Sequence, residues 1–160
     1  MPLEDAGARY PGVMQAYDFV IPSYGWMLTR MEAANGRIQS MQTFVASFTF
    51  AVPAVAKILN PNLSFVAARY LMAMVAFAVL MLIGLMAGTG SRIKLANPNL
   101  LFETWLHYPE WEFKKNAIAW AGEHFQFNVD LLQSKANAAK WMTAFFLLEL
   151  VFLLAWIATS

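Results

Sequence analysis

The sequence predicts an all-α membrane protein: three transmembrane helices, a hairpin plus one, carried on long cytoplasmic amphipathic helices. Three observations predict it. Hydrophobic residues make up 59% of the 160 positions and charged residues only 13%, whereas a soluble domain carries about a quarter charged residues. Three apolar runs approach the ~20 residues that a helix needs to cross ~30 Å of hydrocarbon. A chain this short cannot wrap three such helices on all sides, so the surplus apolar surface faces something other than water.

In chain order, residues 1–23 read as an irregular cytoplasmic N-terminus. This stretch is acidic at Glu4 and Asp5 and broken by Pro2, Pro11, Gly12 and Pro22. It lacks the basic start and apolar run of a signal peptide. Residues 24–90 form a cytoplasmic helix leading into a transmembrane hairpin. From Tyr24 to Ser40, Met27, Met31, Ala34, Ile38 and Met41 recur at steps of three and four, which gives one apolar helix face. The first span covers about 41–59, with Pro53 as a kink. The second covers about 68–88. Only Asn60-Pro61-Asn62-Leu63 separates the apolar runs, with Asn60 placed to cap the next helix and Pro61 suited to its first turn.

Residues 91–140 form a cytoplasmic helical region. Ser91–Asn99 is a linker broken at Asn97-Pro98, and helical patterning then runs from Leu100 to Lys140 with an interruption at His107-Tyr108-Pro109. Its apolar seam is Ile118, Ala121, Phe125, Val129, Leu132, Ala136 and Ala139. That seam suits packing on the Tyr24–Ser40 helix or on a copy of itself. Residues 141–160 hold the third span.

Charge sets the orientation. Lys57 and Arg69 flank the hairpin loop with stems long enough to snorkel. The other nine of the eleven basic residues, from Arg9 and Arg30 to Lys135 and Lys140, lie on the opposite side. The positive-inside rule then places the N-terminus and the 90–140 segment in the cytoplasm and the C-terminus outside. Lys135 and Lys140 fall where the chain meets the anionic inner leaflet.

Glu149 is the candidate intramembrane site. A charge at that depth costs ~3 kcal/mol or more, so the residue is neutral, paired, or facing a bundle interior or water. It reads either as a pore-lining, proton-sensitive residue or as a protonated carboxyl bonded to Thr43, Ser47 or Thr49. Gly84 and Gly88 form a GxxxG pattern, which allows close helix approach. His107 and His124, with Glu103, Glu110 and Glu123, match no metal-binding or catalytic spacing. With no cysteine, thiolate chemistry is excluded. The net charge of +1 with no basic stripe gives no nucleic-acid partner. No cofactor, metal or enzymatic site is expected.

Two close spans, a long cytoplasmic helix and a polar element opening into a last apolar helix resemble the small bacterial SLATT-type and Pycsar-type transmembrane effectors. Asn128, Asp130, Leu131, Lys135, Ala136 and the 141–158 span carry the resemblance, with Arg37 before the first span. It implies an antiphage effector that assembles in the bacterial inner membrane and disrupts it. The chain has no domain to sense a cyclic nucleotide itself. The expected function is therefore an oligomeric, pore-forming inner-membrane protein, partnered by the lipid bilayer and by copies of itself. The alternative is a non-catalytic accessory subunit of a larger membrane complex.

Overall fold

A computed structural model describes residues 11–89, 103 and 105–159, the side chain of Leu106 excepted. Three helices carry the described chain: α1 (Val13–Leu59), α2 (Ala68–Thr89) and α3 (Glu110–Ala158), with a short 3-10 turn at Trp105–His107 before α3. All three are long and apolar enough to cross a membrane. The 47 residues of α1 and 49 of α3 are more than twice the ~20 that a crossing needs.

One expected boundary moves. Residues 13–23 are helical rather than irregular, so α1 begins eleven residues before Tyr24. Its first turn closes when Ala16 N–H bonds the Gly12 carbonyl at 2.9 Å. Pro22 deprives the Asp18 carbonyl of its helical donor, but both residues are exposed, so the loss is not a buried one. The helix expected before Lys140 enters the third apolar run directly. Nothing breaks the chain between Lys140 and Trp141, and α3 is continuous across them. It starts directly after Pro109, whose carbonyl accepts from Glu112 and Phe113. The expected linker Ser91–Asn99, together with Arg9, Arg92 and Lys94, lies outside the described residues.

The chain divides into two compact units. One takes residues 11–32 and 105–132. Here α1 and α3 run parallel, Met14 meeting Lys114 and Tyr24 meeting Trp120. Met27, Met31, Ala117, Ala121, Asn128 and Leu131 are its buried residues.

The second unit takes residues 33–89 and 133–159. Thr49 of α1 meets Glu149 of α3, and α2 returns antiparallel to α1. Ile38, Val45, Leu80 and Met142 form one buried cluster; Ala56, Leu63, Ala73, Leu153 and Trp156 form another. Buried positions on α3 recur every seven residues at Lys135, Met142, Glu149 and Trp156, the spacing that keeps one face against a neighbouring helix.

The hairpin loop is closed differently from expectation. Asn60 Oδ1 accepts from Asn62 N–H and so caps the turn rather than α2. The Lys57 ammonium folds onto the loop, donating to the Pro61 and Leu63 carbonyls at 2.6 and 2.5 Å. Arg69 bonds Thr159.

The GxxxG pair divides. A Cβ at Gly84 would fall 2.5 Å from Gln42 Nε2 and 3.0 Å from its Cγ, whereas one at Gly88 would meet open space. Gly84→Leu is expected to cost about 1–3 kcal/mol by overpacking. Gly88→Leu should be neutral or slightly stabilising, because a better helix former replaces glycine. Thermal unfolding of both variants in detergent micelles checks this; equal midpoints would remove Gly84 from the packing.

Candidate functional site

Glu149 is fully buried, and its Oε1 lies 2.5 Å from Thr49 Oγ1. Thr49 is itself fully buried and donates to the Val45 carbonyl at 2.7 Å. A threonine hydroxyl has one proton and a carbonyl has none. Both contacts are therefore satisfied together only when Glu149 brings its own proton, giving a chain from carboxylic acid to hydroxyl to carbonyl. Glu149 Oε2 has no partner, which a neutral acid tolerates far better than a carboxylate would. Of the three expected partners, Thr49 holds the place. Thr43 and Ser47 turn outward and bond their own helix at the Gln39 and Thr43 carbonyls, 3.1 and 2.9 Å away.

Two further polar contacts lie in the same unit. Lys135, 3% exposed, donates to the Ala87 carbonyl near the end of α2 at 2.6 Å. A cation there meets the unpaired carbonyls and negative dipole end of that helix. Lys140 is exposed, so the two lysines expected together at a membrane surface have different surroundings. Gln42 Nε2 reaches the Met81 carbonyl at 3.4 Å.

In the other unit, the expected seam is turned. Ala121 is buried, but Ile118, Val129 and Leu132 are half-buried and Phe125 is 42% exposed. The buried positions are Ala117, Ala121, Asn128 and Leu131. Asn128 Nδ2 points at Tyr24 Oη, 3.5 Å away. Tyr24 packs edge-on to Trp120 at 5.5 Å, and Trp120 contacts His124 at 4.6 Å. Burial holds the Tyr24 phenol above its ordinary pKa, and the Asn128 contact offsets part of that shift.

Phe125, Val129, Leu132, Ala121 and Gly122 line one side of a groove of about 580 Å³; Phe19, Trp26, Met27 and Arg30 stand among those on the other. Near the start of α3, Lys114 bonds Glu110 at 2.6 Å, which lowers the pKa of that carboxyl, and contacts Met14 Sδ at 2.8 Å. Among the described residues, no three His, Asp or Glu side chains converge as a metal site.

No protein-family model, curated protein or solved structure matches this chain. Sequence periodicity missed Asn128 and Lys135 because both are polar, and an apolar stripe passes over them. Counting sevens back from Glu149 through Met142 reaches Lys135 and then Asn128, so the signal was the spacing and not the hydropathy.

Proposed function

We propose that this chain is a non-catalytic integral membrane protein that works as an oligomer, its copies meeting across the outer face of α1. The observation that carries the proposal is the contrast between the outer faces in the second unit. On α2, Leu71, Met72, Val75, Leu82, Leu85 and Met86 are 50–65% exposed, and on α3 Val151 and Leu154 are 60% and 64% exposed. Inside stand Thr49, Lys135, Glu149 and the small Ala56, Ala73 and Ala76. Large apolar residues such as Leu80, Met142 and Trp156 are buried as well, but an outside of bulky apolar side chains with the polar Thr49, Lys135 and Glu149 turned in suits a hydrocarbon solvent.

The outer face of α1 also exposes Phe44, Phe50, Val55 and Ile58, but a row of small residues runs between them. Gly36, Ser40, Thr43, Ser47, Ala51 and Ala54 are all exposed and recur at steps of three and four. They lie opposite the buried Ile38, Val45 and Thr49. Small and hydroxyl residues in such a row let helices approach closely in lipid.

The activity proposed is permeabilisation of the membrane by the assembled copies, with the N-terminus cytoplasmic, as expected for a bacterial inner-membrane effector. Glu149 does not line that path, because one protomer already encloses it; Ser40, Thr43 and Ser47 are the groups available to an assembly. The test is the native mass of the detergent-extracted protein, together with dye leakage from liposomes. Wild type and Glu149→Gln are expected to form the same oligomer and to leak dye, whereas Ser47→Phe, which places a ring in the small-residue row, should run as a monomer and not leak. A monomeric wild type overturns the assembly, and co-purifying unlike subunits would favour an accessory role. An oligomer that never leaks overturns permeabilisation alone.

A further inference from the structure

The small-residue row on α1 is the floor of a channel with aromatic walls. At about 100° per residue, Phe44 and Phe50 fall on opposite sides of the row. Phe44 meets Phe146 of α3 with ring centroids 5.8 Å apart, and Phe50 meets Phe77 of α2 at 5.9 Å. Both walls are more than half exposed. Past Ser47 the floor deepens into a groove of about 390 Å³, whose lining includes Ala51, Val52, Val55 and Leu59 of α1 and Ile157 of α3. A concave floor of this kind packs against bulk. A second row of small residues laid on it would leave both floors unfilled.

The membrane limits what that bulk is. Copies that share one topology are related by rotation about the membrane normal, which keeps every residue at its own depth. Whatever part of a second copy enters the channel therefore lies level with the row. The antiparallel register of α1 and α2 is fixed where Gln42 meets Gly84. It sets Met72 level with Ala54, Val75 with Ala51, Leu82 with Phe44 and Met86 with Ser40. All four α2 side chains are at least half exposed, and their steps of three, seven and four residues make one bulky ridge along the helix. The outer face of α3 offers bulk over half that length only. Its parallel register through Thr49 and Glu149 sets Leu154 and Val151 level with Ala54 and Ala51. The same register brings the exposed Thr143 and Lys140 to the depth of Thr43 and Ser40.

We propose that the assembly is head-to-tail, the Met72–Met86 ridge of α2 in one copy filling the α1 channel of the next. The inference deepens the oligomeric reading above and rests on it. The channel is continuous with the small-residue row, which lets helices approach closely in lipid, and this chooses a helix over an acyl chain as its occupant. Each copy carries its channel and its ridge on different helices, so the contact repeats from copy to copy around a ring. A two-fold dimer through α1 would instead set channel against channel. Methionines at both ends of the ridge suit a channel of uneven depth, because a thioether side chain bends to fill gaps.

The chain has no cysteine, so introduced thiols are the only ones present. Ala51→Cys and Val75→Cys, both at exposed positions, would be made singly and together in the full-length protein. Each variant would be reconstituted in phosphatidylcholine liposomes and oxidised with copper phenanthroline. A disulfide forms only where Cα atoms come within ~7 Å. The double variant is expected to give a ladder of covalent multimers on non-reducing gels, rising one chain at a time. Each single variant should run as a monomer. The two single variants reconstituted as a mixture should give dimers and nothing larger, which also excludes a link within one chain.

A dimer from Ala51→Cys alone would set α1 against α1 and overturn the proposal. A ladder from Ala51→Cys paired with Val151→Cys, absent when the pair is Val75→Cys, would put α3 in the channel and overturn it as well. So would the absence of any cross-link in protein whose native mass shows an oligomer, which leaves the channel to lipid. Failure of the oligomeric reading itself looks different, because the wild type then has the native mass of one chain before any thiol is introduced.

Discussion

Trp156→Ala is expected to destabilise the second unit by about 3–5 kcal/mol, the range for removing a fully buried tryptophan. Trp156 has no exposed surface. It stacks on Phe65 at 5.8 Å and lies 5.0 Å from Tyr70, and its indole N–H donates to the Ser64 carbonyl at 2.9 Å. One residue of α3 thus holds both the hairpin loop and the start of α2. Truncation would leave a cavity among Ala56, Leu63, Ala73 and Leu153, whose side chains are too short or too fixed to fill it. Trp156→Phe keeps a ring and loses the bond to Ser64, so a smaller cost of about 1–2 kcal/mol is expected. Unfolding in mixed micelles of increasing SDS fraction gives both values. Equal stability of Trp156→Ala and wild type would mean that Lys57, Asn60 and Arg69 hold the loop without it.

The second large effect falls on Glu149. Glu149→Ala should cost about 2–4 kcal/mol, mainly through the cavity left beside the buried Thr49. Glu149→Gln should cost less than about 1 kcal/mol, because interhelical hydrogen bonds in membranes average ~0.6 kcal/mol and glutamine still offers a donor to Thr49. The order Ala well below Gln, with Gln near wild type, is the signature of a neutral acid. If Gln is as damaging as Ala in the same unfolding experiment, Glu149 is ionised in the folded protein and the proton inventory at Thr49 is wrong.

Much of the fold was legible from composition and length. The apolar runs 41–59, 68–88 and 141–158 all lie within helices, and Pro109 marks the start of α3 as its chemistry requires. Met27, Met31 and Ile38 of the predicted α1 face are buried. The errors have physical causes. Pro22 is a breaker by propensity, but the bond it removes lies on an exposed stretch of helix and the helix passes through. The seam on α3 was placed about one residue position off, because Asn128 and Lys135 occupy interior positions that hydropathy assigns to the outside. The long stem of Lys57 suits reaching outward, yet the unpaired carbonyls of a four-residue turn are stronger partners at close range.

The candidate site was legible in part. A carboxyl inside an apolar run demanded an interior, and Thr49 was among the three hydroxyls on offer. What one sequence could not supply was the choice among them, since Thr43, Ser47 and Thr49 differ by rotation about the α1 axis and the facing direction is set by α3. Arg30 and Trp26 passed unnoticed for a different reason. Each is ordinary alone, and only the fold sets the ring beneath the guanidinium and opens a groove beside both.

The seven-residue spacing of Lys135, Met142, Glu149 and Trp156 carries a consequence for how this gene can change. Each residue added to or deleted from α3 rotates everything beyond it by about 100°. A single codon lost between Met142 and Glu149 would swing the carboxyl out of its enclosure and carry Trp156 off the loop in the same stroke. Losses of seven restore the face but shift Glu149 past Thr49 by two turns. Related sequences should therefore vary freely in side chain along α3 while keeping its length between Lys135 and Trp156 fixed, with insertions confined to the segments outside the three helices.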